Sequence, residues 1–298
     1  MQLSAASPGA GSSPAARLRA LMAQRAAVAV PGCHDALGAR LIAEAGFEVV
    51  YLSGYSVAAS HARPDIGLVT MTQMAAHAAA LAEAVDLPVV ADADTGYGGI
   101  ANIADTVRSY ERAGVAALHL EDQQNPKRCG AMASKKLVSD AEMAERLRAA
   151  LAARSGDILI VGRTDAMTIG GIEETIRRCR RMAALGVDAV MAPSLSSLEE
   201  MRALVDAVEV PVLHTVAETV RPLFTQAELA TTGLGLALYP ITLVQAIVKL
   251  QRTILATLRE QGTTAPHLDA MIRLQDLTVL LGADRHAAFE NDVLSRSE

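Results

Sequence analysis

Residues 88–121 read PVVADADTGYGGIANIADTVRSYERAGVAALHLE, and the punctuation of this stretch decides the fold. It opens on a short apolar run, 88–93, that ends among acids and a Gly-rich turn. A segment of helical period follows at 101–113, then Gly114, then a second apolar run at 116–121 that again ends in an acid. Continuous apolar runs, rather than alternating ones, mark parallel strands buried on both faces. A glycine two or three residues before the next strand suits the left-handed turn that closes a helix. The stretch is one strand–helix–strand unit.

The same grammar recurs outward in both directions. Runs at 27–31, 48–53, 158–163, 189–193, 211–216 and 235–239 bring the set to eight. Helical segments lie between them, for example at 72–85 and 172–186, and Gly46 and Gly186 stand where Gly114 stands. Eight such units with short connections predict a closed (β/α)8 TIM barrel of the α/β class. An open doubly wound sheet would call for a Gly-rich phosphate loop after the first strand, and none follows it. Two further helical segments, 241–260 and 266–282, exceed what a barrel needs and suggest oligomer packing or an intrachain cap. Residues 1–15, rich in Ala, Ser, Gly and Pro, read as a disordered tail, and 16–298 as a single barrel domain that includes the C-terminal helices.

Composition narrows the function. The 298 residues are 51% hydrophobic and 20% charged, with a net charge of −6 and only 3% aromatics. No basic stripe or aromatic platform points to nucleic acid. No apolar stretch approaches the ~20 residues of a bilayer span, so no membrane partner is expected. Three scattered cysteines, Cys33, Cys129 and Cys179, make no disulfide framework and fit a reducing compartment, which predicts a cytoplasmic protein.

In a barrel, reactive groups sit where strands end and βα loops converge. Those positions here hold Tyr51-Leu52-Ser53-Gly54-Tyr55, then Asp92-Ala93-Asp94, then His119-Leu120-Glu121-Asp122, then Arg163-Thr164-Asp165. Taken singly, two acids after a strand cap a loop and a lone His is a structural hydrogen bonder. Together, Asp92, Asp94 and Glu121, joined by Asp65 and the imidazole of His119, form an oxygen-rich cluster that would be costly without a cation. Hard oxygen donors point to Mg2+, with Mn2+ as a substitute, rather than Zn2+. Arg163 either neutralises these acids or grips a substrate carboxylate with its planar fork. The loop 123–137 carries four basic residues and Cys129. Arg128 and Lys127 beside that thiol favour a reactive thiolate, and the loop reads as a lid. Cys33 and Cys179 read as structural.

These motifs, YLSG at 51–54, ADADTGYG at 91–98, HLEDQ at 119–123, PKRCG at 126–130 and GRTDA at 162–166, together resemble the isocitrate lyase and phosphoenolpyruvate mutase superfamily, especially its short-chain lyases. The resemblance runs from about Leu18 to the last strand. It implies that Asp92 contacts Mg2+ while Asp65, Asp94, His119 and Glu121 hold its waters. It implies that Ser53, Gly54 and Tyr55 bind the oxo-acid part of the substrate, with Arg163 on a carboxylate. Cys129 would protonate the carbanion left by C–C cleavage, next to Gly130, and Tyr51 would sit near the reacting hydroxyl. It further implies a homotetramer whose C-terminal helices swap between subunits.

The match departs at several positions. Ala131 stands where the lyases have His, Ser194 where they have Glu, and Tyr55 where they have Gly. The segment from His214 to Glu218 supplies neither the Asn nor the Thr of their second-carboxylate pocket at its usual place, which leaves His214 as the candidate contact. The expected substrate is therefore a small dicarboxylate or oxo-acid, and a substituted malate rather than a tricarboxylate. The expected reaction is Mg2+-dependent carbon–carbon cleavage to an oxo-acid and a carboxylate. Alternatives are oxaloacetate decarboxylation, phosphorus–carbon chemistry, which Cys129 argues against, and a non-catalytic barrel.

Overall fold

A computed structural model of the protein describes residues 12–129 and 135–295. Its central feature is the expected one, a closed barrel in which every neighbouring pair of strands is parallel and the last strand pairs with the first. The strands are β1 (Val28–Cys33), β2 (Val50–Leu52), β3 (Val89–Asp92), β4 (Ala117–Glu121), β5 (Leu159–Arg163), β6 (Ala189–Met191), β7 (Val212–Thr215) and β8 (Leu236–Tyr239).

Each strand contributes to two layers because its side chains alternate. Val30, Tyr51, Val90, Ala117, Leu159, Val161, Ala189, Met191, Leu213, Leu236 and Leu238 pack together inside the barrel. Leu52, Ala91, Leu118, Leu120, Ile160, Val190, Val212 and Ala237 pack outward against the helices. This period of two decides which strand-end residues face the mouth.

Helix α1 (Pro14–Ala23) begins two residues inside the segment read as a tail, because Ser13 caps it and Pro14 fits its first turn. Its Ala15, Leu18 and Met22 join the barrel-interior cluster. Helix α2 (Ala36–Glu44) follows β1. A short α3 (Gly54–Ser60), which the sequence reading did not separate, precedes α4 (Met71–Ala84) after β2. Then come α5 (Ile100–Arg112), α6 (Asp140–Ala153), α7 (Met167–Ala184), α8 (Leu198–Ala207) and α9 (Gln226–Ala230). Gly46, Gly114 and Gly186 have φ of 84°, 81° and 90°, the left-handed turn read from their positions.

The chain divides into two compact units, Met1–Val244 and Gln245–Glu298. Most of α10 (Thr242–Gln261) lies in the second, followed by a 3-10 turn (Ala265–Ala270), α11 (Leu274–Leu280) and α12 (Ala283–Ser295). The second extra helix expected at 266–282 is thus divided. Pro266 starts the turn, Met271 is extended, and Gly282 takes a φ of 82° before α12. Leu255, Leu268, Leu274, Phe289 and Leu294 are exposed in this unit. Among the described residues, no helix is long and apolar enough to cross a membrane.

Candidate active site

The C-terminal ends of the strands surround a cleft of about 800 Å³. Its wall includes Tyr51 and Ser53 from the end of β2, Asp92 from β3, Arg163 from β5, Thr215 from β7, and Asp65 and Cys129 from loops. Tyr55 on the first turn of α3 also lines it. Seven sequence-predicted residues therefore meet at one cavity. Asp94, His119 and Glu121 lie buried just behind it. Gly130 falls outside the described residues.

Gly54 explains how Asp92 fits. A Cβ at position 54 would stand 2.7 Å from Asp92 Oδ2, so the missing side chain leaves room for the carboxylate. The backbone N–H of Asp94 donates to Asp92 Oδ1 at 3.0 Å, and the Tyr51 hydroxyl lies 3.4 Å from Asp92 Oδ2 and 2.9 Å from His119 Nε2. Burial drives the His119 imidazole down to about 4, so it is neutral at neutral pH. Its 3.7 Å contact with Asp92 is then dipolar and not an ion pair. Burial would raise the Asp92 carboxyl, but its interactions with the His119 imidazole, then with the Lys127 and Arg163 charges and the Asp94 N–H, prevail and lower it.

Two cations occupy the acidic cluster. The Lys127 ammonium pairs with both Asp65 and Asp94, 2.6 Å from the latter. The Arg163 guanidinium meets Asp165 through Nε at 3.0 Å and Glu121 through Nη2 at 3.0 Å. Lys135, missed by the sequence reading, donates to Asp165 at 2.9 Å and also lines the cleft. Beneath them Asp122 accepts from Thr164, from the Asp165 N–H and from Arg178. This arrangement holds the Arg163 fork in place from behind, while Nη1 makes no hydrogen bond within the described residues.

Five carboxylates, Asp65, Asp92, Asp94, Glu121 and Asp165, thus face three cations, Lys127, Lys135 and Arg163. With all five ionised, the excess is two negative charges. Burial and the neighbouring Asp92 and Asp65 push the Asp94 carboxyl up to about 6 despite Lys127. Burial pushes Glu121 well up, against the pull of Arg163. Both Glu121 oxygens, Asp94 Oδ1 and His119 Nδ1 are buried without a hydrogen-bond partner. Lys127 and Arg163 nonetheless make close ion contacts with Asp94 Oδ1 and Glu121 Oε2, which leaves Glu121 Oε1 as the carboxylate oxygen of this set with neither contact. Among the described residues, no three His, Cys, Asp or Glu are set as a ready cage for an ion, and the Lys127 ammonium pairs with both Asp65 and Asp94. A cluster of oxygen donors that carries more acids than cations and leaves Glu121 Oε1 without a partner nonetheless fits a hard divalent cation.

The loop bearing Cys129 is anchored at its base. Gln123 bridges to Leu137, Gln123 also bonds the backbone of Arg128, and Arg146 donates to the Gln123 carbonyl. The Cys129 N–H donates to the Asp65 carbonyl at 3.1 Å. The thiol therefore reaches the cleft through this strap, while the Lys127 ammonium, expected to activate it, is committed to carboxylates.

His214 requires a correction. Leu213 points into the barrel, so His214 points outward, where its Nδ1 meets the Ala192 carbonyl at 3.1 Å and its ring is buried against the α8 layer. It does not line the main cleft. Thr215, one residue on, does, and its hydroxyl is buried without a partner. The period of two from Leu213 was the signal that could have found it. Ser194 also lines the cleft, held at a φ of 69°.

Residues 18–259 match the family model described as phosphoenolpyruvate phosphomutase. The chain is 38% identical to 2,3-dimethylmalate lyase of Eubacterium barkeri, over 93% of this chain and 97% of that one. It is 35% identical to 2-methylisocitrate lyase of Halalkalibacterium halodurans, over 93% and 92%. A crystal structure of 2,3-dimethylmalate lyase superposes with a TM-score of 0.88 at 34% identity, covering 95% and 96%. Oxaloacetate acetylhydrolase with 3,3-difluorooxaloacetate also gives 0.88 at 34%, covering 94% and 97%. Phosphonopyruvate hydrolase with oxalate and Mg2+ gives 0.86 at 29%, covering 95% and 100%. A barrel of this topology, an acid cluster two charges short and relatives matched along nearly their whole length make this chain a member of the phosphoenolpyruvate mutase/isocitrate lyase superfamily.

Proposed function

We propose that the protein is a cytoplasmic, Mg2+-dependent carbon–carbon lyase that cleaves a substituted malate-type 2-hydroxy acid into an oxo-acid and a carboxylate. The observation that carries this reading is the convergence of the Cys129 thiol, the Tyr51 phenol and the Arg163 fork on one cleft beside carboxylates that lack two positive charges. The lyase names of the relatives support it.

Asp92 would hold the cation, with Asp65, Asp94, His119 and Glu121 around it, and Mn2+ has the donor preferences to substitute. The bound cation supplies electrostatic stabilisation of negative charge developing on substrate oxygens. Arg163 takes a substrate carboxylate, oriented by Asp165 and Glu121 behind it. Ser53, Gly54 and Tyr55 form the wall for the oxo-acid part. Tyr51 takes the proton of the substrate's 2-hydroxyl as it passes its own to His119 Nε2. A carbonyl then forms at C2, and the electron pair of the C2–C3 bond moves to the departing carboxylate fragment. The Cys129 S–H gives that carbon its proton; the proton taken up by His119, which burial disfavours holding, is then released while the thiolate takes one up, so the cycle closes with no net proton gained or lost.

Thr215 supplies a hydroxyl for the second carboxylate, a smaller complement of donors than a tricarboxylate would need. The exposed apolar side chains of the C-terminal unit support a homotetramer, with subunit contacts made by those helices. Cys129→Ala tests the assigned chemistry. It is expected to lower lyase turnover by about 10²–10⁴-fold, the contribution of a positioned proton donor. Retained turnover in that variant would remove the role given to the thiol. Oxaloacetate decarboxylation, whose small enolate can take its proton from water, should be slowed by the substitution and not abolished.

A further inference from the structure

Outside the cleft, two imidazoles and the backbone carbonyl of His34 meet where β1, α3 and α4 come together. His61 caps the C-terminus of α3 and His77 lies in the middle of α4. Their Nε2 atoms face each other at 3.3 Å, with the rings at 83° and their centroids 5.4 Å apart. His77 Nδ1 bonds the backbone carbonyl of His34, just after β1. A carbonyl can only accept, so Nδ1 carries the His77 proton and Nε2 presents a lone pair. This is the arrangement by which metal-bound imidazoles are fixed in tautomer and direction.

The separation suits a shared ion. Two nitrogens each about 2.0–2.1 Å from a tetrahedral metal stand roughly 3.3–3.4 Å apart. We infer that His61 and His77 form a two-imidazole site for a borderline transition-metal dication such as Zn2+ or Ni2+, with water completing the coordination sphere. In the ion-free state His61 Nε2–H donates to His77 Nε2. The metal replaces that proton, and His61, which is exposed to solvent, carries a proton on Nδ1 instead, so the exchange is neutral. Imidazole donors favour such ions over Mg2+, whereas the carboxylates of the cleft favour Mg2+. The two sites are therefore separated by donor chemistry as well as position.

The consequence is mechanical. The residues between His61 and His77 include the loop 62–70, which carries Asp65, and the first turn of α3 carries Gly54 and Tyr55. A metal between them clips α3 to α4 and stiffens the segment that presents Asp65 to the cleft.

Calorimetric titration of the full chain with Ni2+, in excess Mg2+, reads the site directly. One equivalent of Ni2+ should bind the native protein. His61→Gln and His77→Gln should each weaken that binding by more than about tenfold, since even loss of an outer partner costs that much. His61 is exposed, so its variant also serves where His77→Gln perturbs folding. Native-like circular dichroism with lost Ni2+ binding supports the site. Equal Ni2+ binding by the native chain and the folded His61→Gln variant, or no bound equivalent in the native chain, overturns it.

Discussion

At the scale of single residues, strand alternation governs what the cleft contains. Thr215 and His214 are neighbours in sequence, yet Thr215 lines the cleft while the adjacent ring is sealed among apolar side chains. The Thr215 hydroxyl has no partner within the described residues, so a substrate oxygen there would gain a hydrogen bond at no cost to an existing one. Thr215→Val keeps the shape and removes the donor. We expect KM for a dicarboxylate substrate to rise roughly ten- to hundredfold, the value of a hydrogen bond to a charged group, with the fold unchanged. Steady-state kinetics beside a thermal melt checks this, and an unchanged KM would remove Thr215 from the substrate pocket. Asp92, Glu121 and Arg163 were legible from sequence because they end apolar runs, where the barrel architecture converts position into exposure to the mouth. Lys135 was not legible. It lies in a loop, and its contact with Asp165 spans 30 residues, a distance no local pattern encodes.

At the scale of elements, β7 carries a pH dependence of its own. Burial holds the His214 imidazole down to about 4, against the pull of its bond to the Ala192 carbonyl. The unfolded chain would protonate near the ordinary histidine value of about 6.5. Above that pH both states are neutral and His214 imposes no penalty. As pH falls from about 6.5 to 4 the unfolded state takes up a proton that the folded state refuses, so stability falls, by roughly 3 kcal/mol once below 4. His214→Asn can still donate to Ala192 but does not titrate. Denaturant melts from pH 7 to 4 should show a shallower loss for that variant, and parallel losses in both proteins would contradict the assignment. The strands and the glycine-terminated helices were legible because their signals are local. The short α3 was masked by the Ser53-Gly54 site motif that forms its cap, and the division of 266–282 at the extended Met271 was masked by the apolar residues Leu268, Ala270, Ile272 and Leu274 around it.

At the scale of the whole molecule, the barrel end gathers five carboxylates at one mouth and leaves them two positive charges short. That imbalance is tolerable only if a cation binds or if Asp94 and Glu121 hold protons, and both carboxyls are indeed pushed upward. The C-terminal unit presents a complementary problem, with Leu255, Leu268, Leu274, Phe289 and Leu294 all exposed. Large apolar side chains clustered in one unit mark an association surface. Sedimentation velocity should therefore find an oligomer, a tetramer under the assembly proposed above, and a stable monomer at micromolar concentration would leave these helices without the proposed partner.

The central claim, metal-dependent cleavage of a substituted malate, is tested most directly by following candidate acids by proton NMR with Mg2+ and after exhaustive chelation. The panel comprises 2,3-dimethylmalate, citramalate, 2-methylisocitrate, oxaloacetate and phosphonopyruvate. The account predicts that a substituted malate disappears as an oxo-acid and a carboxylate grow in equal amounts, only when Mg2+ is present. Intact malates beside consumption of oxaloacetate or phosphonopyruvate alone, or cleavage that survives chelation, would contradict it.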